Sequence, residues 1–206
     1  YAGRSSGTVG HAGVFSFNGN KIITTGGGGM VVSNDERAVE HMRYLSQQAK
    51  DDALYFVHEE SGYNYRMTNL QAALGLAQLE QLDNFLEIKR RNYARYCELL
   101  SGCGYGHMQP FGAGENANHW FYAFVLNEPD GAKRDRLLRF LTGQNIQVRP
   151  VWKLNHMQTP FRRFRAMDCS RAEQFYNSVI NIPCSTNLTR GQIDFVSQAL
   201  LKFPLS

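Results

Sequence analysis

Residues 13–32 read GVFSFNGNKIITTGGGGMVV and place one lysine, Lys21, in a polar turn between two apolar, strand-like runs. The run that begins at Val14 predicts a buried strand, and residues 18–20 predict a turn. The two isoleucines that follow Lys21 are expected to form an apolar wall beside its amine. Because desolvation disfavours the charged form, such an amine loses its proton more easily and can attack a carbonyl to form a Schiff base.

Four consecutive glycines, residues 26–29, follow this lysine. Since glycine has no Cβ, the run permits a close approach between the backbone and another group. We expect that group to be either a cofactor or a neighbouring chain.

The composition is that of a globular protein with a sizeable core, since 43% of the 206 residues are hydrophobic and 12% are aromatic. The 22 basic and 18 acidic residues give a net charge of +4. This charge is too mild and too scattered for a nucleic-acid-binding protein, although it is compatible with a phosphorylated substrate. The four cysteines form no CxxC pair, and no signal peptide or long apolar span is visible. We therefore expect a cytoplasmic protein that has no metal site and no membrane contact.

Secondary-structure signals alternate between helix and strand. Apolar spacing predicts one long helix from Leu70 to about Leu100, and a further helix over residues 132–141. Strands are predicted over residues 119–126 and 146–151, which together indicate an α/β or α+β unit. Capping boxes predict four helix starts, at Ser33, Thr68, Ser170 and Thr189.

Several motifs carry a resemblance to a known family. They are residues 16–30 (SFNGNKIITTGGGGM), 62–73 (GYNYRMTNLQAA), 149–156 (RPVWKLNH) and the pair Ile182-Pro183. These motifs resemble the DegT/DnrJ/EryC1/StrS family of pyridoxal-phosphate-dependent nucleotide-sugar aminotransferases, and the resemblance covers essentially the whole chain. The residues and spacing of these motifs are most similar to those of the branch that aminates C4 of UDP-linked 4-keto-6-deoxy sugars, as in the legionaminic acid or bacillosamine pathways.

The resemblance implies an α/β fold, namely the C-terminal portion of a fold type I aminotransferase. Residues 1–84 would be a remnant of the large cofactor-binding domain, and residues 85–206 the small C-terminal α+β domain. Members of the family are longer, and their first halves carry the phosphate-binding turn, the stacking ring and the aspartate that pairs with the pyridinium nitrogen. We therefore expect a C-terminal piece that needs the missing N-terminal half, exposes apolar edges alone, and binds a complement or aggregates.

The resemblance also implies which residues bind the cofactor, pyridoxal 5'-phosphate. Lys21 would hold it as a Schiff base, and Ser16 would bind its phosphate. Asn64 would reach across a homodimer interface to the cofactor phosphate of the other subunit, so that the sites are shared. The alternatives are a solvated loop lysine, a strand serine bonded to backbone, and an asparagine that tolerates a turn before a helix.

Three further residues are expected to contact the substrate. Arg66 and Arg149 suit a diphosphate, because a guanidinium fork matches phosphate oxygens, although such arginines usually pair with a local carboxylate. His156 lies in the loop that relatives fold over the active site, and it is expected to touch substrate or cofactor. A histidine in such a position is more often packed and satisfied.

The reaction implied by the resemblance is transamination of a nucleotide-linked 4-keto-6-deoxy sugar, with glutamate as the amino donor, in nucleotide-sugar and cell-surface glycan biosynthesis. A lysine at position 21 favours transamination over dehydration, because a subgroup of sugar dehydratases in the family has histidine there. The alternative is a non-catalytic fragment or degenerate homologue that only folds or dimerises with another segment. We expect this fragment alone to be catalytically incompetent, because half of the site lies outside it.

Overall fold

Residues 1–205, described by a computed structural model, divide into two structural units. The first unit comprises Tyr1–Asn84 and Gly112–Asn116, and the second comprises Phe85–Phe111 and the chain from Ala117 onward. The expected assignment of residues 1–84 to a large cofactor-binding domain and of residues 85–206 to a small domain stays a prediction.

The sheet of the first unit is an antiparallel hairpin of β1 (Ala12–Ser16) and β2 (Gly29–Ser33). The predicted strand around Val14 is present, but its predicted burial is wrong, since the Val14 side chain is 76% exposed. A strand of a two-stranded ribbon is buried only where another layer covers it, and Val14 is uncovered. A Cβ on Gly29 would lie 2.5 Å from the Phe15 carbonyl oxygen, so this glycine allows close approach to the paired strand.

The first helix, α1 (Glu36–Ser46), begins two residues later than the predicted cap at Ser33 would place it. Asp35 is the N-cap, and its Oδ1 accepts a hydrogen bond from the Ala38 N–H at 3.1 Å. Ser33 is the last residue of β2, and its hydroxyl donates to the His11 carbonyl at 2.6 Å. The predicted capping box at Ser33 is therefore wrong, because the strand pairing uses that side chain.

The predicted long helix is two helices, α2 (Asn69–Leu79) and α3 (Leu82–Leu100). The capping box of Thr68 and Gln71 at the start of α2 is confirmed. A 3-10-type turn separates the two helices, because the Gln81 N–H donates to the carbonyl of Gln78, three residues earlier in the chain. Apolar spacing continues across this break, so periodicity alone does not reveal it.

The second unit is a four-stranded antiparallel sheet with helices. The strand order is β3-β4-β6-β5, and the two predicted strands are present but shorter than expected. The predicted helix over residues 132–141 is confirmed as α4. The elements after α3 are β3 (Gly106–Met108), β4 (Tyr122–Leu126), α4 (Gly131–Thr142), β5 (Arg149–Pro150), α5 (Ser170–Ser178), β6 (Val179–Ile182) and α6 (Arg190–Leu201).

The core of the second unit lies between this sheet and its helices. Its largest fully buried side chains come from α3, β4, α4, β6 and α6: Tyr96, Tyr122, Phe124, Leu137, Leu141, Ile180, Leu200 and Ser197. No helix among residues 1–205 combines the length and the apolar character needed to cross a membrane.

Of the two predicted caps in the second unit, one is confirmed and one is wrong. Thr189 and Gln192 form a complete capping box at the start of α6. At α5 the N-cap is Cys169, which makes no side-chain cap. The expected partner of Ser170 in a box, Glu173, is hydrogen-bonded to His156 instead.

Thr189→Ala is expected to lower the free energy of unfolding by about 1 kcal/mol, because it leaves the backbone N–H groups of the first turn of α6 without their cap. Ser170→Ala is the matched control and should change it by less than about 0.5 kcal/mol, because Ser170 caps nothing. Urea denaturation of both variants measures the difference. Equal losses would contradict the assignment of the two caps.

Candidate functional site

Lys21 lies in the loop that joins β1 to β2, residues 17–28, which we call the lysine loop. Its backbone N–H donates to the Asn18 carbonyl at 3.0 Å, and the Asn18 N–H donates to the Ser16 hydroxyl at 3.4 Å. Asn18 therefore brings the two residues expected to hold the cofactor close together. The Lys21 side chain is partly buried, and Ser16 is exposed.

Thr25 anchors the lysine loop, although no motif in the sequence marks it as a functional residue. It is only 4% exposed, and its backbone N–H donates to the Phe17 carbonyl at 3.0 Å. Its hydroxyl donates to the Gly27 carbonyl. A Cβ on Gly75 would lie 2.7 Å from Thr25 Cγ2, so this glycine of α2 leaves the room that Thr25 occupies. The available sequence signal was a glycine inside an apolar helix, which points to close packing without naming the partner.

The segment that carries Asn64 runs beside the C-terminal end of α1. The Tyr63 N–H donates to the Leu45 carbonyl at 2.7 Å, and the Tyr63 and Tyr65 rings stack at a centroid distance of 4.9 Å. Successive side chains of an extended segment point to opposite sides, so Asn64 points away from the stacked pair. Asn64 and Arg66 are both exposed.

The other two expected substrate residues, Arg149 and His156, lie in the second unit. Arg149 is exposed on β5, opposite Asn181, and its Nη1 donates to the Val148 carbonyl at 3.1 Å. His156 Nε2 lies 3.0 Å from Glu173 Oε1. The histidine therefore has a local carboxylate partner, and its expected contact with substrate or cofactor stays a prediction.

A second lysine, Lys89 of α3, is buried in the second unit with only 4% of its surface exposed. Its Nζ donates to the Cys184 carbonyl at 2.6 Å and lies 5.1 Å from the centroid of the Tyr122 ring. Burial lowers the pKa of this amine. The Tyr122 hydroxyl in turn donates to the Lys89 carbonyl at 2.8 Å, so we interpret this lysine as part of the core.

The lowered pKa of Lys89 predicts a contribution to the free energy of unfolding that increases as pH rises. The folded protein binds fewer protons than the unfolded chain between the folded-state pKa and the ordinary value of 10.5, so the free energy of unfolding increases through that interval. Below the folded-state pKa, the full free-energy cost of burying the charged Lys89 amine lowers the stability of the fold. Lys89→Met removes the amine and is expected to flatten this increase between the folded-state pKa and the ordinary value of 10.5.

Urea denaturation at several pH values measures that slope, and Lys202→Met is the control. Lys202 is exposed next to α6, so its replacement should leave the slope unchanged. A slope in Lys89→Met equal to that of the parent chain would show that Lys89 titrates alike in both states.

Comparison with known proteins gives consistent matches over nearly the whole chain. The model of the DegT/DnrJ/EryC1/StrS aminotransferase family matches residues 1–201. EpsN of Bacillus subtilis, whose name assigns it to the pyridoxal phosphate-dependent aminotransferases, is 39% identical over 98% of this chain and 52% of its own length. The GDP-perosamine synthase of Caulobacter vibrioides is 37% identical over 97% of this chain and 54% of its own.

Among solved structures, Helicobacter pylori PseC, an aminotransferase of pseudaminic acid biosynthesis, superposes with a TM-score of 0.91. It is 25% identical, and the match covers 98% of this chain and 56% of that structure. The chain spans about half the length of the curated relatives it matches. This likeness confirms the α/β fold class that the sequence predicts, as a portion of a longer fold.

Proposed function

The chain belongs to the DegT/DnrJ/EryC1/StrS aminotransferase family, and from that membership we propose that it forms part of an enzyme that aminates a nucleotide-linked 4-keto-6-deoxy sugar. The observation that carries this proposal is the lysine loop, in which Asn18 joins Ser16 to Lys21. A primary amine and a hydroxyl carried on one hydrogen-bonded segment suit the aldehyde and the phosphate of pyridoxal 5'-phosphate, the cofactor of the family.

The donors of the lysine loop fit this cofactor chemically. Lys21 Nζ would hold the aldehyde carbon covalently, and Ser16 Oγ would donate to the phosphate. The buried Thr25 packs against Gly75 of α2 and keeps the loop in one conformation. This fixes the position of the Lys21 backbone, from which the side chain extends. When bound, the cofactor supplies the electron sink for the reacting carbon.

Lys21 has a second role, as the proton carrier. When it is no longer bonded to the cofactor, Lys21 Nζ takes a proton from the α-carbon of the amino donor. It later returns a proton to the sugar carbon that receives the amine.

Asn64 is proposed to reach the cofactor phosphate of a second copy in a homodimer, and Arg66 is proposed to contact the substrate diphosphate. Both are exposed on the first unit. Arg149, exposed on β5, is proposed to contact the substrate diphosphate.

The proposed substrate is a nucleotide sugar and the proposed amino donor is glutamate. Support for the substrate class comes from the relatives, one named as a GDP-perosamine synthase and another as an aminotransferase of pseudaminic acid biosynthesis. The motifs in the sequence resemble enzymes that use UDP-linked sugars, whereas the perosamine synthase is named for GDP. The assay should therefore offer both UDP- and GDP-linked 4-keto-6-deoxy sugars.

Reductive trapping tests the proposal. The chain is incubated with pyridoxal 5'-phosphate and reduced with borohydride, both alone and with the N-terminal half that its relatives carry. We expect mass spectrometry to find the reduced cofactor adduct on the peptide that contains Lys21. The buried Lys89 is an internal control and should stay unmodified. An absence of adduct on Lys21 even with both halves present would favour the alternative, a segment that only folds or dimerises with another polypeptide.

A further inference from the structure

One basic segment of the second unit comprises residues 152–168, which we call the strap. It contains four basic residues, Lys153, Arg162, Arg163 and Arg165, against Asp168 as its single acidic residue. The strap therefore carries a net charge of +3.

The strap presents this charge to the surface on an irregular backbone. Its regular structure consists of two single-turn 3-10 helices, Asn155–Met157 and Thr159–Phe161. The three arginines are exposed, and Arg165 and Asp168 line an open cavity of about 640 Å³. Of the three arginines, Arg165 lines this cavity, and an exposed guanidinium group suits the oxygens of a diphosphate.

One hydrogen bond ties the middle of the strap to a regular element. Within residues 1–205, the other hydrogen bonds of strap side chains and backbone join positions no more than five apart. The exception is the bond between His156 Nε2 and Glu173 Oε1, at 3.0 Å, which joins the strap to α5. At the start of the strap, the Trp152 ring lies 5.4 Å from Phe121 and 6.2 Å from Trp120, between ring centroids.

We propose that Glu173 is a positioning residue that, through His156, holds the strap so that its arginines receive the diphosphate of the nucleotide sugar. This inference rests on the proposed function. A loop that is already fixed loses less conformational entropy when it binds a ligand, so the bond to Glu173 should strengthen binding without touching the ligand. It also explains why Glu173 does not complete the box predicted with Ser170.

The first test measures whether Glu173 fixes the strap. Glu173→Ala in the full chain is expected to speed tryptic cleavage after Arg162, Arg163 and Arg165 by about tenfold, since it removes a hydrogen bond to a charged group. Glu173→Gln keeps an acceptor oxygen and should restore the slow cleavage. Gln174→Ala, an exposed neighbour on α5, is the matched control and should cleave like the parent chain.

Intrinsic fluorescence supplies a second readout that needs no cofactor. The chain has two tryptophans, and both lie in the aromatic cluster at the start of the strap. Glu173→Ala is expected to change their emission, whereas Gln174→Ala should not. Unchanged cleavage and unchanged emission in Glu173→Ala would overturn the positioning role.

The second test measures the ligand. Calorimetric titration measures the affinity for UDP, GDP, pyrophosphate and uridine. The affinity for the three phosphorylated probes should fall by about tenfold in Glu173→Ala, whereas the affinity for uridine should be the same in the variant and in the parent chain. Unaltered affinity for all probes, despite faster cleavage, would overturn the assignment of the strap to phosphate. Trapping of the cofactor on Lys21 is measured separately, so a failure of the proposed function is distinguishable from a failure of this inference.

Discussion

Lys21→Ala is expected to abolish amino transfer while leaving the fold intact. The proton transfers assigned to this amine are alone worth roughly 10²- to 10⁴-fold in rate, and the covalent hold on the cofactor is lost as well. The side chain is partly buried in a loop, outside the buried core, so its removal should cost little stability. Turnover is measured with glutamate and UDP- or GDP-linked 4-keto-6-deoxy sugars, in the presence of the N-terminal half of the fold.

The matched control for this variant is Lys202→Ala. Lys202 is exposed beside α6, in the second unit, and should retain the activity of the parent chain. Circular dichroism and the urea midpoint establish that both variants fold alike. Turnover in Lys21→Ala within about tenfold of the control would mean that another group carries the proton.

Leu137→Ala is expected to destabilise the second unit by about 2–5 kcal/mol. The Leu137 side chain is fully buried in α4, against a core that includes Phe124 and Ile180, so its truncation leaves a cavity as well as losing apolar burial. Urea denaturation followed by tryptophan fluorescence measures the effect. Both tryptophans, Trp120 and Trp152, belong to this unit and report on its unfolding.

Leu201→Ala is the control for that measurement. Leu201 also lies in a helix, α6, but it is 48% exposed, so the change in helix propensity is the same and the loss of burial is smaller. A loss below about 1 kcal/mol is expected. Equal destabilisation by the two variants would contradict the placement of Leu137 at the centre of the core.

The helix caps show which structural features can be predicted from residues adjacent along the chain. The boxes at Thr68 and Thr189 are predicted correctly, because all the groups that satisfy one another lie within one turn of the chain. The same pattern at Ser33 and Ser170 fails because more distant partners intervene. Ser33 belongs to a strand and bonds to His11, and Glu173 bonds to His156.

The expected site residues show a similar division. The sequence places Ser16 five residues before Lys21, and the structure links Ser16, at the end of β1, to Lys21 in the lysine loop through Asn18. Nothing in the spacing of the sequence identifies Thr25 as the residue that seats this loop on Gly75. The roles of all six expected site residues stay proposals, since they concern ligands and a second copy of the chain.

The sequence by itself determined the family, the lysine between two strands and the caps that close within four residues, because each depends on groups adjacent along the chain. Only the tertiary structure decided that Lys89 is buried against Cys184, that Val14 is exposed, and that His156 is paired with Glu173. These outcomes depend on which distant segments meet. The free energy of burial or ion pairing depends on those partners, and the local pattern of residues does not specify them.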